Sequence, residues 1–190
     1  MIRQLGALLA LLLLVTACSD VEGTGDLTYV AGDGQVVEVA PDDREDPVEI
    51  SGTTVQGESL DLDDLRGKVV VLNVWWSGCG PCRTEMPMLV EAEDELGEEV
   101  AFVGINIRDL APENAEAFER DRGVDYPSLY DPGSDTLLAF GSYQPLATPS
   151  TLLLDREGRV AALITGEVPS KGTITDLVEE IGAEEAGAGG

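Results

Sequence analysis

Histidine is absent from this chain of 190 residues, and basic residues are few: 11 Lys and Arg stand against 37 Asp and Glu, a formal net charge of −26 at pH 7. Without imidazole the chain cannot build His-dependent acid–base catalysis, Ser/His/Asp or Cys/His triads, or His metal sites. The acidic balance also excludes nucleic-acid binding, which needs cationic side chains to replace phosphate counterions. Catalysis therefore depends on Cys, carboxylate, Tyr or Lys side chains, and the chain has three Cys.

The N-terminal segment resembles a bacterial export signal. Arg3 supplies a positive charge, and the apolar run that follows it ends at Val15, well short of the roughly 20 residues that span a bilayer. Val15–Cys18 resembles the lipobox, which implies cleavage before Cys18 and a diacylglycerol group on its thiol. The alternative is an ordinary signal peptide that ends next to a free Cys. We therefore predict a signal peptide at 1–17 and a lipid-anchored chain on the extracytoplasmic face of a bacterial membrane.

Composition divides the remaining chain into three parts. Residues 18–47 are rich in Gly, Asp and Glu and poor in large apolar side chains, which predicts a flexible acidic tether that begins at the lipidated Cys18. A short strand at 36–39 is the alternative within this part. Residues 48–182 have the length and apolar content of one folded domain, and 183–190 are predicted to be a disordered tail.

Apolar patterning predicts that residues 48–182 form an α/β domain. The run at 69–75 is apolar on both faces, as in a strand at the centre of a sheet that is covered on two sides. A helix to about residue 96 and a strand at 100–107 follow it, which makes a βαβ unit. The other predicted elements are a hairpin within 48–62, helices at 112–122, 134–140 and 170–181, and strands at 151–154 and 160–165.

Cys79 and Cys82 are the candidate catalytic pair. They lie between the predicted strand and its helix, where free backbone N–H groups and the helix dipole favour a thiolate. Cys79 would attack a disulfide and Cys82, one turn further on, would resolve the mixed disulfide, while Pro81 stiffens the loop between them. The alternatives are a structural disulfide or half of a zinc or copper site, although the further ligands for such a site are missing.

Three motifs resemble those of the bacterial membrane-anchored, extracytoplasmic thioredoxin-like proteins, thiol-disulfide oxidoreductases that include those acting in cytochrome c maturation. The motifs are Leu65–Lys68, Cys79–Cys82 and Ala147–Thr151, and the resemblance covers roughly 48–182. It implies a thioredoxin-like fold: a central mixed sheet with βαβ and ββα units, helices on both faces and an N-terminal hairpin extension. It also implies a redox-active Cys79–Cys82 disulfide that needs neither cofactor nor metal.

The resemblance implies roles for residues outside the Cys pair. Pro149 is expected to be cis and to lie against the two sulfurs, with the backbone of Thr148 pairing with an extended substrate peptide. Cytoplasmic thioredoxins carry a buried Asp where this chain has Asn73, whereas the anchored proteins place a Glu three residues after the second Cys, which is Glu85 here. Glu85 is either the catalytic proton acceptor for Cys82 or a solvated carboxylate in the first turn of a helix.

The aromatic residues near the Cys pair depart from the family pattern. A Trp usually precedes the first Cys, but here Gly78 holds that position and Trp76 lies two residues earlier. Trp76 is either a displaced aromatic on the rim of the site or a core residue, and Trp75 fits a packing position near the site. The predicted substrate-binding residues are Thr148, Pro149, Trp75, Trp76 and Pro81.

The sequence therefore predicts a lipid-anchored monomer that reduces protein disulfides through Cys79 and Cys82 and receives electrons from a membrane donor. Net oxidation of secreted proteins is the alternative with the same chemistry. A tethered binding module with a structural Cys79–Cys82 disulfide is the alternative without catalysis. A thiol peroxidase is disfavoured, because its Pro-x-x-x-Thr/Ser-x-x-Cys loop is missing.

Overall fold

The computed structural model describes residues 29–31 and 35–188. Within these residues the chain forms a seven-stranded sheet, a separate two-stranded hairpin and three α-helices. The strands are β1 Tyr29–Ala31, β2 Gln35–Glu38, β3 Ser51–Thr53, β4 Ser59–Asp61, β5 Val69–Trp75, β6 Val100–Ile107, β7 Ser128–Asp131, β8 Ser150–Leu154 and β9 Val160–Thr165. The helices are α1 Gly80–Leu96, α2 Pro112–Arg122 and α3 Lys171–Ala188.

β5 lies inside the large sheet, whose strand order is β1-β2-β9-β8-β5-β6-β7. All of its side chains are buried, as its unbroken apolar sequence predicts. β5 runs parallel to β6 and antiparallel to β8, and Val74 pairs with Ser150 while Trp75 pairs with Asn106. This register brings the ends of β5 and β6 and the start of β8 to one edge of the sheet, where the Cys pair follows β5.

Helices cover both faces of the sheet. The three α-helices lie on one face, where Met86 of α1, Phe118 of α2 and Ile174 of α3 belong to one apolar cluster with β5 side chains. On the other face, Phe140 of the 3₁₀ helix Asp135–Tyr143 belongs to a second apolar cluster, together with side chains from residues 48–62. β5-α1-β6 is a βαβ unit and β8-β9-α3 is a ββα unit, so the predicted thioredoxin-like α/β fold is confirmed.

The predicted flexible tether at 18–47 is wrong where the structure describes it, at 29–31 and 35–47. Residues 35–38 form β2, which pairs antiparallel with β9, and Val36 and Val39 are each only 4% exposed. The two valines suffice for a strand here because β9 already supplies a hydrogen-bonding partner and the apolar face. The strand that was the alternative at 36–39 is therefore close to the one observed, and it extends the central sheet.

The predicted disordered tail at 183–190 also begins too early, because α3 continues to Ala188. The Arg44 guanidinium, from the predicted tether, donates to Glu184 at 2.6 Å and to the buried Asp155 at 3.1 Å. Composition missed both segments because each is acidic and locally poor in apolar residues, and their contacts join parts of the chain that are far apart in sequence.

The predicted signal peptide at 1–17 and the lipidated Cys18 lie outside the described residues. In the part of the chain that the structure describes, no helix is both long enough and apolar enough to cross a membrane.

Candidate functional site

Cys79 and Cys82 form a disulfide at the start of α1. Cys79 caps the helix, and the backbone N–H of Cys82 donates to its Sγ at 3.1 Å. Cys79 is 4% exposed and Cys82 is fully buried. Because the first N–H groups of a helix have no acceptor within it, they favour negative charge on the Cys79 sulfur after reduction. This geometry is the one that the predicted attacking role of Cys79 requires, and Cys82 lies behind it.

Glu85 is buried, at 2% exposure, and lies on the same side of α1 as Cys82, one turn further on. Its Oε1 accepts a hydrogen bond from Asn73 Nδ2 at 2.9 Å, and its Oε2 accepts one from the backbone N–H of Val168 at 2.9 Å. Burial raises the pKa of Glu85 to about 7, although the two hydrogen bonds act in the opposite direction and lower the pKa. Of the two alternatives for Glu85, the solvated carboxylate is therefore wrong.

Asn73 of β5 holds the Glu85 carboxylate from within the sheet. Its Nδ2 also donates to Thr151 Oγ1 at 3.1 Å, while its Oδ1 is buried without a hydrogen-bond partner. An amide can donate to a carboxylate and a hydroxyl at the same time without carrying charge itself. Asn73 therefore positions Glu85 without competing with it for a proton.

The ring of Trp76 fills the space next to Gly78. A Cβ added to Gly78 would lie 2.1 Å from Trp76 Cζ3, closer than any real contact. Trp76 is half-buried and packs against the cluster that holds both sulfurs. The aromatic ring therefore belongs to the border of the site although its residue is displaced in sequence, and it requires glycine at position 78.

Trp75 lies beneath the site, not on its surface. It is fully buried and stacks on Phe118 of α2 with ring centroids 4.7 Å apart. A ring without exposed surface cannot contact a protein substrate, so the prediction that Trp75 binds substrate is wrong, and its role is to pack α2 against the sheet.

The Thr148–Pro149 peptide bond is cis, at the start of β8. Pairing of Ser150 with Val74 places this loop at the same edge of the sheet as the Cys pair. Pro149 is buried and Thr148 is half-buried, while Pro81, between the two Cys, is exposed. The substrate-binding roles of these three residues stay predictions.

Sequence reasoning missed Asp109, which follows β6. This carboxylate is 5% exposed and accepts hydrogen bonds from the backbone N–H of Ser77 at 2.8 Å and from its hydroxyl at 2.6 Å. Its position just after a parallel strand is a signal for such a residue, because the carboxyl ends of neighbouring parallel strands share one edge of the sheet.

Among the described residues, no group of three or more His, Cys, Asp or Glu side chains is placed to hold a metal ion. The chemistry that the arrangement itself supports is thiol-disulfide exchange, with a buried carboxyl group near the second sulfur.

Comparisons with known proteins agree with this geometry. A redoxin family model matches residues 32–181. The thiol-disulfide oxidoreductase ResA of Bacillus thuringiensis (strain Al Hakam) is 33% identical over 118 residues, which are 60% of this chain and 65% of that relative.

Two solved structures are similar over most of their length. A DsbF homologue from Corynebacterium diphtheriae has a TM-score of 0.72 and 31% identity, covering 86% of this chain and 99% of that one. A secreted thiol-disulfide isomerase from Corynebacterium glutamicum has a TM-score of 0.73 and 29% identity, covering 87% of this chain and 97% of that one.

Proposed function

This chain belongs to the redoxin family, and we propose that it is a thiol-disulfide oxidoreductase that reduces protein disulfides on the extracytoplasmic face of a bacterial membrane. The observation that carries the proposal is the Cys79–Cys82 disulfide at the start of α1, with the buried Glu85 one turn beyond it. A merely structural disulfide would not require a buried carboxyl group that is poised to take up a proton near neutral pH.

The reaction proceeds in two exchange steps. The Cys79 thiolate attacks one sulfur of the substrate disulfide, forms a mixed disulfide and expels one substrate thiolate, which takes a proton from water. Cys82 then gives its proton to the Glu85 carboxylate, and its thiolate attacks Cys79 Sγ. This closes the Cys79–Cys82 disulfide and expels the second substrate thiolate, which takes the proton from Glu85. Two electrons pass to the substrate, and a membrane-bound dithiol donor reduces the pair again.

The proposed location rests on the sequence before the folded part. The apolar segment that ends at Val15 and the lipobox-like Val15–Cys18 support export and a diacylglycerol anchor on Cys18. The neighbour from Corynebacterium glutamicum is itself described as secreted. The resemblance to proteins of cytochrome c maturation makes disulfides of that process one candidate class of substrate.

Two variants test the catalytic assignment. Cys79→Ser is expected to abolish reduction of insulin disulfides, because it removes the attacking sulfur. Cys82→Ser is expected to accumulate mixed disulfides between Cys79 and substrate proteins, which non-reducing electrophoresis detects, because the resolving thiol is gone. Insulin reduction by Cys79→Ser at the wild-type rate would overturn the catalytic assignment of Cys79. Failure of Cys82→Ser to trap any partner would instead favour a binding module.

The reduction potential of the pair decides the direction of electron flow. We expect a value near or below roughly −230 mV, on a scale where thioredoxin lies at about −270 mV, measured by equilibration with dithiothreitol or glutathione. A value near about −120 mV would make the protein an oxidant of secreted proteins, which is the second candidate.

A further inference from the structure

The turn that carries Cys79, residues 76–79, is fixed from two sides through Ser77. The Asp109 carboxylate accepts from the N–H and the hydroxyl of Ser77, and Arg83 Nη2 donates to its carbonyl at 2.8 Å. Every polar group of Ser77 is therefore engaged, two residues before the attacking sulfur. The turn closes with the N–H of Cys79 donating to the carbonyl of Trp76 at 3.0 Å.

Asp109 is itself held in place by three further hydrogen bonds to two strands. Asn106 Nδ2 of β6 donates to its Oδ2 at 2.8 Å, and the Tyr130 hydroxyl of β7 donates to its carbonyl at 2.8 Å. Its own N–H donates to Ile107 at 2.8 Å, across Arg108, whose φ of 62° lies in the left-handed region that few residues other than glycine adopt. Strained backbone that aims a buried carboxylate at a neighbouring turn is typical of a functional site.

We propose that Asp109 is a positioning residue for Cys79. By fixing Ser77 it keeps the Cys79 sulfur at the N-terminus of α1, where the Cys82 N–H reaches it, and keeps the Trp76 ring over Gly78. Asp109 acts through Ser77 and not on the sulfur itself. The proposal rests on the proposed function, since it concerns the reactivity of the same thiol.

Asn and Ala at position 109 separate the hydrogen bonds from the charge. Both substitutions remove the carboxylate charge, but the Asn amide oxygen still accepts from the Ser77 N–H and its amide can donate to the Ser77 hydroxyl. Any difference between Asp109→Asn and Asp109→Ala therefore measures what the hydrogen bonds contribute at equal charge.

The test measures how fast the reduced full-length protein reacts at pH 7 with 5,5′-dithiobis(2-nitrobenzoate), with closure of the Cys79–Cys82 disulfide confirmed by peptide mass spectrometry. We expect Asp109→Ala to react about tenfold more slowly than Asp109→Asn, because the sulfur is no longer held in its reactive position. Equal rates for the two variants would overturn the proposal.

Asp131→Ala is the matched control. Asp131 is also a buried carboxylate at the end of a neighbouring strand and accepts three hydrogen bonds, but from Asp135 and Thr136 and not from the Cys79 turn. It should unfold at a lower temperature and yet react at the wild-type rate. A loss of rate equal to that of Asp109→Ala would show a general effect of lost stability and would overturn the proposal.

Ser77→Ala keeps the proposal testable if Asp109→Ala does not fold. This variant loses only the hydroxyl hydrogen bond, so we expect a rate about threefold below wild type, and an unchanged rate overturns the proposal. The small disulfide needs no protein docking. Failure to reduce insulin would therefore count against the proposed function and leave the comparison of the Asp109 variants intact.

Discussion

At the scale of single residues, Glu85 links the chemistry of the site to the stability of the protein. Its pKa is raised from 4.5 to about 7, mainly by burial, so between these values the folded protein binds more protons than the unfolded chain. The protonated form of Glu85 therefore adds to the free energy of unfolding at low pH, and this contribution is lost as the pH rises towards 7.

Glu85→Gln is expected to remove this pH dependence, because a neutral amide mimics the protonated carboxyl. Relative to wild type, the variant should gain up to about 3 kcal/mol in unfolding free energy as the pH rises from 5 to 8. Urea unfolding of the oxidised protein at several pH values measures it. Glu91→Gln, at an exposed position of the same helix, is the control and should follow the wild-type curve.

The same variant should slow the resolving step, because Gln cannot accept the proton of Cys82. We expect a loss of about 100-fold at pH 7, with the mixed disulfide accumulating in single-turnover experiments. A resolving rate equal to wild type would show that Glu85 takes no part in proton transfer.

At the scale of elements, β2 shows that the folded part begins before residue 48. A chain that begins at residue 48 loses β2, which is the strand that pairs with β9, and with it the buried Val36 and Val39. We expect its unfolding free energy to fall by about 3 kcal/mol or more relative to a chain that begins at Tyr29, as measured by urea denaturation. Equal midpoints for the two chains would mean that β2 adds nothing to the domain.

Elements with a recurring apolar pattern, a turn signal or a proline start could be predicted from the sequence, whereas the short strand β7 could not. β6 at 100–107 and β9 at 160–165 have the predicted bounds, because hydrophobic side chains recur along their whole length. α2 at 112–122 also has the predicted bounds, because Pro112 marks its start. β7 was missed because its four residues include Ser128 and Asp131, and only its pairing with β6 makes it a strand.

The residues of the candidate site also divide into those that could be predicted from the sequence and those that could not. The Cys pair could be found because its spacing fits the start of a helix, and Glu85 could be found from the resemblance to the anchored thioredoxin-like proteins. The position of Asp109 just after β6 is a signal for a site residue, but its contact with Ser77 could not be predicted, because the contact joins that position to the turn after β5 and the spacing of the two residues does not indicate it.

At the scale of the whole molecule, Arg44 joins three distant parts of the chain. Its buried guanidinium pairs with Asp155, which is fully buried, and with Glu184 of α3, and its Nε donates to the carbonyl of Val39 at 3.0 Å. Removing Arg44 leaves the buried Asp155 with Arg159, at 2.8 Å, as its remaining cation in the described residues. Taking a partner from a buried charge is more costly than losing an exposed pair.

Arg44→Ala is therefore expected to lower the unfolding free energy by about 3 kcal/mol or more. Lys171→Ala, which removes an exposed pair with Glu95, should lower it far less, because water screens an exposed pair. Thermal and urea unfolding of both variants measures the difference, and an Arg44→Ala effect as small as that of Lys171→Ala would contradict the assignment.

The early start of the folded part also limits how far an anchored molecule could travel. With the proposed lipid on Cys18, β1 begins at Tyr29, so about 11 residues separate the membrane from the domain, a reach of at most about 40 Å. A flexible tether that continued to residue 48 would allow a reach of roughly 100 Å. Partners would then have to approach the lipid surface, because the anchored domain could not extend far from it.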